Sequence, residues 1–178
     1  MSATVTLEQR VREALRPIKD YPKPGILFQD ITPVLGDAGL LADVVAAMAQ
    51  PFAGDGVSHV VGIEARGFIL GGAVAIALGA GFVPVRKPGK LPWERVIEEY
   101  ALEYGTDALE CHRDGLVPGR RVLVVDDVLA TGGTAEAAAR LARKLGSEVV
   151  GWSFLLEIGF LNGRSRLTGA PCRVLASV

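Results

Sequence analysis

The sequence predicts a single α/β domain built on a central parallel sheet, and two observations lead to this prediction. Short apolar runs alternate along the chain with longer segments of helical periodicity, which is the order of βαβ units. A chain of 178 residues also has the length of one domain, so residues 1–178 are expected to share one core. Such sheets bind ligands at the carboxyl ends of their strands, where we expect the functional site.

Local signals place the elements of the first half. Thr6 and Gln9 form a capping-box pattern before a helix with apolar positions at Leu7, Val11, Leu15 and Ile18. Residues 26–34 are expected to be extended, and Asp37 to cap a second helix. The run His59–Ile63 is typical of a buried parallel strand. A helix over Phe68–Leu78 and a strand over Phe82–Val85 are expected to complete a βαβ unit.

The second half repeats this alternation after a long polar connection. The proline-containing segment Arg86–Glu99 is expected to be a functional lid or a disordered link, because long connections inside a compact domain are uncommon. A strand over Arg121–Val125, a helix over Thr134–Leu145 and a strand over Glu148–Leu156 follow. Gly146 lies just past the basic last turn of that helix and is a good stop signal.

Composition excludes several classes of partner. Apolar residues make up 49% and charged residues 22% of the chain, and the net charge is −1, which argues against nucleic acid and acidic membranes as partners. The uncharged stretch Gly67–Val85 approaches the length of a membrane span, but glycines and a proline divide it. Two cysteines without metal-ligand spacing and an amino terminus without signal-peptide character favour a reducing cytoplasmic location.

The segment Val122–Thr134, VLVVDDVLATGGT, carries the clearest chemistry. Four apolar strand formers end at Asp126 and Asp127, whose carboxylates can accept hydrogen bonds from sugar hydroxyls or help to position a hydrated Mg²⁺. The following loop offers backbone N–H groups and hydroxyls at a helix N-terminus, which is a phosphate cradle. A plain strand–turn–helix is the alternative, and a P-loop is excluded because its lysine is missing.

At this point a family resemblance is specific. VVDDVLATGGT resembles the signature with which type I phosphoribosyltransferases bind the ribose and 5-phosphate of phosphoribosyl pyrophosphate (PRPP). The blocks PGILFQDITPVL, GIEARGFILG, VPVRKPGKLP, YALEYGTDALE and FLLEIGFLNGR are similar to those of the family members that use adenine. Together these blocks cover nearly everything from Pro24 to Arg164.

The resemblance implies a set of site residues. The ribose and its phosphate would be bound by Asp126, Asp127, Ala130, Thr131, Gly132, Gly133 and Thr134. Pyrophosphate would be bound by Glu64, Ala65, Arg66, Arg86, Lys87 and Lys90, with a cis peptide between Glu64 and Ala65. Adenine would contact Leu27, Phe28, Gln29 and Val128, and Glu103 would be the catalytic carboxylate. Gln29 stands where the family commonly has a basic residue.

The resemblance also implies an architecture and a reaction. It implies helices on both faces of the sheet, a flexible lid over about 87–104, a small hood from about 1–35 and the C-terminal segment, and a homodimer. Mg²⁺ would be held mainly through PRPP and water, with Asp126 and Asp127 as further ligands. The expected reaction converts adenine and PRPP to AMP and pyrophosphate. Use of xanthine or hypoxanthine, or a PRPP-sensing regulator that binds nucleic acid, are the alternatives.

Taken without the resemblance, several of these residues have ordinary structural readings. Glu64 and Arg66 would be a surface ion pair, the cations at 86–90 a solvated basic turn, and Phe28 a core residue. Glu103 would be a solvent-facing charge. The two histidines, His59 and His112, have no nearby ligand set and are expected to be structural.

Overall fold

The computed structural model describes residues 5–102 and 105–178. Its elements are α1 (Leu7–Ala14), β1 (Arg16–Lys19), β2 (Leu27–Asp30), α2 (Thr32–Gly36), α3 (Ala38–Ala49), β3 (His59–Ile63), α4 (Arg66–Leu78), β4 (Gly81–Val85), β5 (Arg95–Leu102), β6 (Gly105–His112), β7 (Arg121–Leu129), α5 (Gly133–Lys144), β8 (Glu148–Glu157) and β9 (Cys172–Ser177). Short 3₁₀ turns follow α3 and β8.

Five strands form a parallel sheet in the order β4-β3-β7-β8-β9, with β7 at its centre. Two antiparallel hairpins, β1–β2 and β5–β6, lie outside this sheet. The parallel α/β fold class is therefore confirmed. The last strand, β9, extends the central sheet, although no strand is predicted for this stretch from the sequence.

Strand β7 divides the core into two layers because successive side chains point to opposite faces. Val122 and Val124 pack on one face with α5 and the β5–β6 hairpin. Leu123 and Val125 pack on the other face with α1, α3 and α4. Helices thus cover both faces of the sheet, as the resemblance implies, and β7 is buried on both sides.

A bulge lies between β7 and β8. Val122 pairs with Val149 and Leu123 pairs with Gly151, so Val150 is an extra residue in β8. The bulge changes the alternation of β8: Val149 packs in the layer of α5, and so does Trp152, three residues later. Gly151 lies against the ring of Phe52, which belongs to the opposite layer.

The capping signals are confirmed, whereas one helix boundary is wrong. Thr6 and Gln9 exchange both capping-box hydrogen bonds, and Asp37 Oδ1 accepts a hydrogen bond of 2.9 Å from the Leu40 amide. The first helix, however, ends at Ala14, and Ile18 lies in β1 opposite Phe28. Pro17 explains the difference, because proline disfavours helical backbone at the residue before it.

Strands β7 and β5 differ from the sequence-based prediction. The prediction that β7 ends at Val125 is wrong, because it continues to Leu129 through its pairing with β8. The segment Arg86–Glu99 is also not a structureless connection throughout, since its last residues begin β5.

Within residues 5–102 and 105–178, no helix has the length and hydrophobicity needed to span a membrane.

Candidate active site

One cavity of about 490 Å³ opens at the carboxyl ends of β3 and β7, as expected for this kind of sheet. Its walls combine the three predicted groups of site residues with a few apolar neighbours. They are Ile26, Leu27, Phe28, Gln29, Ile63, Glu64, Ala65, Arg66, Lys87, Asp126, Asp127, Val128, Ala130, Thr134 and Ile158. Residues more than 100 positions apart in sequence therefore meet at one place.

The topology explains why two aspartates inside a strand can line this cavity. The ladder between β3 and β7 ends where Gly62 pairs with Val125, whereas the ladder between β7 and β8 continues to Leu129. From Asp126 onward, β7 thus has a neighbouring strand on one side only. The acidic pair lies along the open side, so these carboxylates face the cavity although the strand does not end there.

The two aspartates differ in their surroundings. Asp127 is 5% exposed, and its Oδ2 lies 2.5 Å from Arg66 Nε. Asp126 Oδ1 accepts a hydrogen bond of 2.9 Å from the Asp127 amide. Burial raises the pKa of Asp126 well above the usual aspartate range, and the neighbouring Asp127 carboxylate adds to the rise. The raised pKa favours the protonated form of Asp126 more than for an ordinary aspartate.

A second, smaller cavity of about 80 Å³ adjoins the first and is formed by the loop between β7 and α5. Ala130, Thr131, Gly132 and Thr134 line it, and Gly133 opens α5 directly beside it. Free N–H groups and the partial positive charge of a helix N-terminus favour an anion there. The loop therefore lies at the start of α5, as the sequence predicts.

Gly132 is the position of this loop that requires glycine. Its φ is +80°, in the left-handed region, and a Cβ there would collide with the carbonyl oxygen of Gly163. Gly163 approaches the loop just as closely, because its own Cβ would collide with the Ala130 carbonyl. No pattern in the sequence singles out Gly163, which lies within the similar block FLLEIGFLNGR.

The strand–helix junction after β3 brings Glu64, Ala65 and Arg66 to the cavity wall. The peptide between Glu64 and Ala65 is cis, as the resemblance implies. Gly67 lets α4 begin next to β7, since a Cβ there would lie 2.6 Å from Asp126 Oδ1. Arg66 thereby reaches Asp127, and the junction and the acidic pair form one continuous surface.

The Glu64 carboxylate binds the basic segment after β4. It accepts hydrogen bonds from Arg86 Nε at 3.2 Å, from the Lys87 amide at 3.0 Å and from Lys90 Nζ. Burial raises the pKa of Glu64, but the hydrogen bonds from Lys90, Lys87 and Arg86 outweigh it, so the net pKa is lowered. Arg86 and Lys90 therefore border the cavity through Glu64, whereas Lys87 lines it directly.

Phe28 forms the apolar end of the cavity. The guanidinium carbon of Arg66 lies 5.2 Å from the centroid of its ring, and the Tyr21 ring packs edge-on at 5.2 Å. Val128 and Leu27 line the same cavity. Glu103, the expected catalytic carboxylate, lies outside the described residues. An aromatic ring and apolar side chains are suited to a planar heterocycle.

The sequence matches known proteins over most of its length. Residues 36–159 match the family model described as phosphoribosyl transferase domain. An adenine phosphoribosyltransferase of Myxococcus xanthus is 59% identical over 162 residues, which cover 91% of this chain and 88% of that protein. One of a Methylobacterium species is 57% identical over 168 residues, covering 94% and 93%.

Solved structures agree at the level of the whole fold. The crystal structure of adenine phosphoribosyltransferase from Rhodothermus marinus has a TM-score of 0.94 and 51% identity, covering 98% of this chain and 100% of that one. The enzyme from Saccharomyces cerevisiae, solved with adenine and a bisphosphate ligand, has a TM-score of 0.88 and 39% identity, covering 95% and 98%.

The parallel sheet and the match of residues 36–159 to the family model define a phosphoribosyltransferase. The relatives narrow the class further, because they match nearly the full length of this chain and of their own. The chain belongs to the type I phosphoribosyltransferase family, among the adenine phosphoribosyltransferases.

Proposed function

We propose that this protein transfers the 5-phosphoribosyl group of PRPP to adenine in purine salvage, giving AMP and pyrophosphate. The observation that carries the proposal is the convergence of three different surfaces on one cavity. The acidic pair and the loop 130–134, which we call the phosphate loop, suit a sugar phosphate. The Glu64–Arg66 junction suits pyrophosphate, and Phe28 suits a purine. The relatives named as adenine phosphoribosyltransferases support adenine as the base.

The proposed chemistry exchanges one bond at the sugar carbon. The bond from C1 to the pyrophosphate oxygen breaks, and its electron pair leaves with pyrophosphate. A purine nitrogen forms the new bond to C1 and loses its proton, and we assign Glu103, the carboxylate that the resemblance implies, as the group that accepts this proton. Positive groups around the leaving pyrophosphate stabilise the charge that develops there, and the walls hold base and sugar in line. We assign the cations to Arg66 and Lys87, which line the cavity, with Arg86 and Lys90 behind them.

Mg²⁺ is part of the proposal. In the part of the chain that the structure describes, no group of three or more His, Cys, Asp or Glu residues is placed to hold a metal. Two adjacent carboxylates nevertheless supply the oxygen ligands that Mg²⁺ prefers. We therefore assign the ion to PRPP and water, with Asp126 and Asp127 as protein-side oxygen donors.

The remaining features of the proposal concern assembly and location. We propose a homodimer, supported by apolar side chains exposed on neighbouring elements: Ile69 at 51% and Ile76 at 84% on α4, and Phe82 at 36% on the edge strand β4. We assign the protein to the cytoplasm because both cysteines are free. We also propose that the chain is one domain, with a hood from about 1–35 and the C-terminal segment and a lid over about 87–104. Sedimentation at several protein concentrations tests the dimer.

The decisive experiment measures nucleotide formation and pyrophosphate release with a panel of purine bases, with and without Mg²⁺. We expect activity with adenine, little with hypoxanthine, guanine or xanthine, and none after chelation of Mg²⁺. Activity confined to an oxopurine would overturn the choice of base. No pyrophosphate release with any base, together with tight RNA or DNA binding, would favour a PRPP-sensing regulator instead.

A further inference from the structure

A polar cluster near the turn end of the β5–β6 hairpin contains two residues, Tyr100 and Asp107, that have no role in the site as described so far. Tyr100 and Asp107 are directly opposite each other in the two strands, and the Tyr100 hydroxyl lies 3.1 Å from Asp107 Oδ2. The Lys87 ammonium contacts both: it donates a hydrogen bond of 2.8 Å to the Tyr100 hydroxyl and another to Asp107 Oδ2. The cluster therefore joins the hairpin to a residue that lines the cavity.

The same tyrosine also reaches the phosphate loop. The Thr134 hydroxyl donates a hydrogen bond of 3.4 Å to the Tyr100 hydroxyl, and Thr134 lines both cavities. One phenol oxygen thus touches a residue from the pyrophosphate side and a residue from the 5-phosphate side. One ribose joins the 5-phosphate of PRPP to its pyrophosphate. The residues that bind these two groups must therefore be kept at a fixed separation.

Burial and charge suit Tyr100 to this task. Its side chain is 5% exposed and packs in the core layer of α5, so its hydroxyl is held by the core. Burial lowers the pKa of Lys87, but the hydrogen bonds from Lys87 to Asp107 and Tyr100 outweigh it and raise the net pKa. The lysine stays charged. An ammonium has three N–H donors, and these two contacts leave one for a ligand in the cavity.

We infer that Tyr100, supported by Asp107, is a positioning residue that holds the Lys87 ammonium toward pyrophosphate and sets its distance from the phosphate loop at Thr134. This inference rests on the proposed function, because it assumes that Lys87 binds the pyrophosphate of PRPP. Tyr100 itself does not line the cavity in this arrangement. It acts on the substrate through Lys87 and Thr134.

The test is a double-mutant cycle with Tyr100→Phe and Lys87→Met. Phenylalanine keeps the ring in the core and removes only the hydroxyl, so the fold is retained. The loss of one hydrogen bond to a charged group is expected to raise KM for PRPP, and for pyrophosphate in the reverse reaction, by roughly tenfold. KM for adenine stays near the wild-type value. Glu99→Gln, an exposed position on the same strand, is the matched control and is expected to change none of these values.

The cycle separates the inference from the proposed function. If Tyr100 acts through Lys87, then Tyr100→Phe has little further effect on KM for PRPP in the Lys87→Met background. Equal effects in both backgrounds, or no effect of Tyr100→Phe in the wild-type background, would overturn the inference. A Lys87→Met variant with wild-type KM for PRPP would instead overturn the assignment of Lys87, which belongs to the proposed function.

Discussion

Replacement of Gly132 by alanine tests the phosphate loop most directly, because the chain offers a closely matched control. Gly132 has a φ of +80° and Gly119 a φ of +81°, so alanine is strained equally at the two positions. A Cβ at Gly119 meets nothing within 4 Å, whereas a Cβ at Gly132 collides with the Gly163 carbonyl. Gly119 lies in the turn before β7, at the end of the sheet away from the cavity.

The expected loss of stability has two causes, the left-handed backbone at both positions and the collision at Gly132. Left-handed backbone costs alanine roughly 1–2 kcal/mol, and this cost is common to both variants. Overpacking against backbone adds about 1–3 kcal/mol at Gly132 alone. In a domain of this size, 1 kcal/mol lowers Tm by about 2–4 °C, so Gly132→Ala is expected to be less stable than Gly119→Ala by roughly 2–12 °C.

The functional difference is expected to be larger than the difference in stability. Relief of the collision displaces the loop, and each lost hydrogen bond to a charged phosphate costs about 1.5–3 kcal/mol. KM for PRPP is therefore expected to rise by roughly 10- to 100-fold or more in Gly132→Ala and to stay near wild type in Gly119→Ala. Steady-state AMP formation at varied PRPP and thermal unfolding measure both quantities. Identical Tm and KM values in the two variants would refute this reasoning.

Three further predictions concern the walls of the cavity. Phe28→Leu is expected to raise KM for adenine by roughly 10- to 100-fold through lost stacking, with KM for PRPP nearly constant; an unchanged KM for adenine would remove Phe28 from the base site. Asp127→Asn removes the charge that Arg66 faces and is expected to raise KM for PRPP about tenfold or more, while the exposed Asp43→Asn serves as control; equal kinetics in the two variants would contradict the assignment. The raised pKa of Asp126 means that its contribution to stability is complete below the ordinary aspartate pKa and is lost as pH rises through the raised value. The Tm of Asp126→Asn minus that of the wild type should therefore increase as the pH is raised from below the ordinary aspartate pKa, and a difference that stays constant with pH would contradict the raised pKa.

The parts of the fold that depend on local signals could be predicted from the sequence. The strand His59–Ile63 is observed with the predicted bounds, and the caps at Thr6 and Asp37 form as predicted. In these cases the residues that decide the structure lie within a few positions of each other. Apolar runs bounded by glycine also located α4 and β4 to within about two residues.

The β5–β6 hairpin could not be predicted because its charged residues find their partners far along the chain. Glu98 looks like a solvent-facing charge in the sequence, yet it is buried and forms ion pairs with Arg140 and Lys144 of α5. Such partners appear only once the sheet has brought α5 beside the hairpin. The strand β9 was missed as well, because its short sequence has no strong alternation.

At the site, the sequence identified residue types better than their pairings. Patterns of glycine, aspartate and basic residues indicated groups of residues that the structure brings to one cavity or to its border. Nothing in the sequence shows that Glu64 accepts hydrogen bonds from both Arg86 and Lys90, or that Arg66 reaches from Asp127 to Phe28. These contacts join residues of different elements, and only the register of the sheet decides them.

The bulge at Val150 has a consequence for how this chain tolerates changes in length. Val149, Gly151 and Trp152 already face the layers that strict alternation would give them if Val150 were absent. Deletion of Val150 would therefore turn the bulge into a regular ladder. All remaining side chains of β8 would stay on the face of the sheet where they lie now. The loss of a single residue from β7 before Asp126 would instead exchange the orientations of the acidic pair. Two adjacent strands of one sheet thus differ sharply in their tolerance of a one-residue deletion.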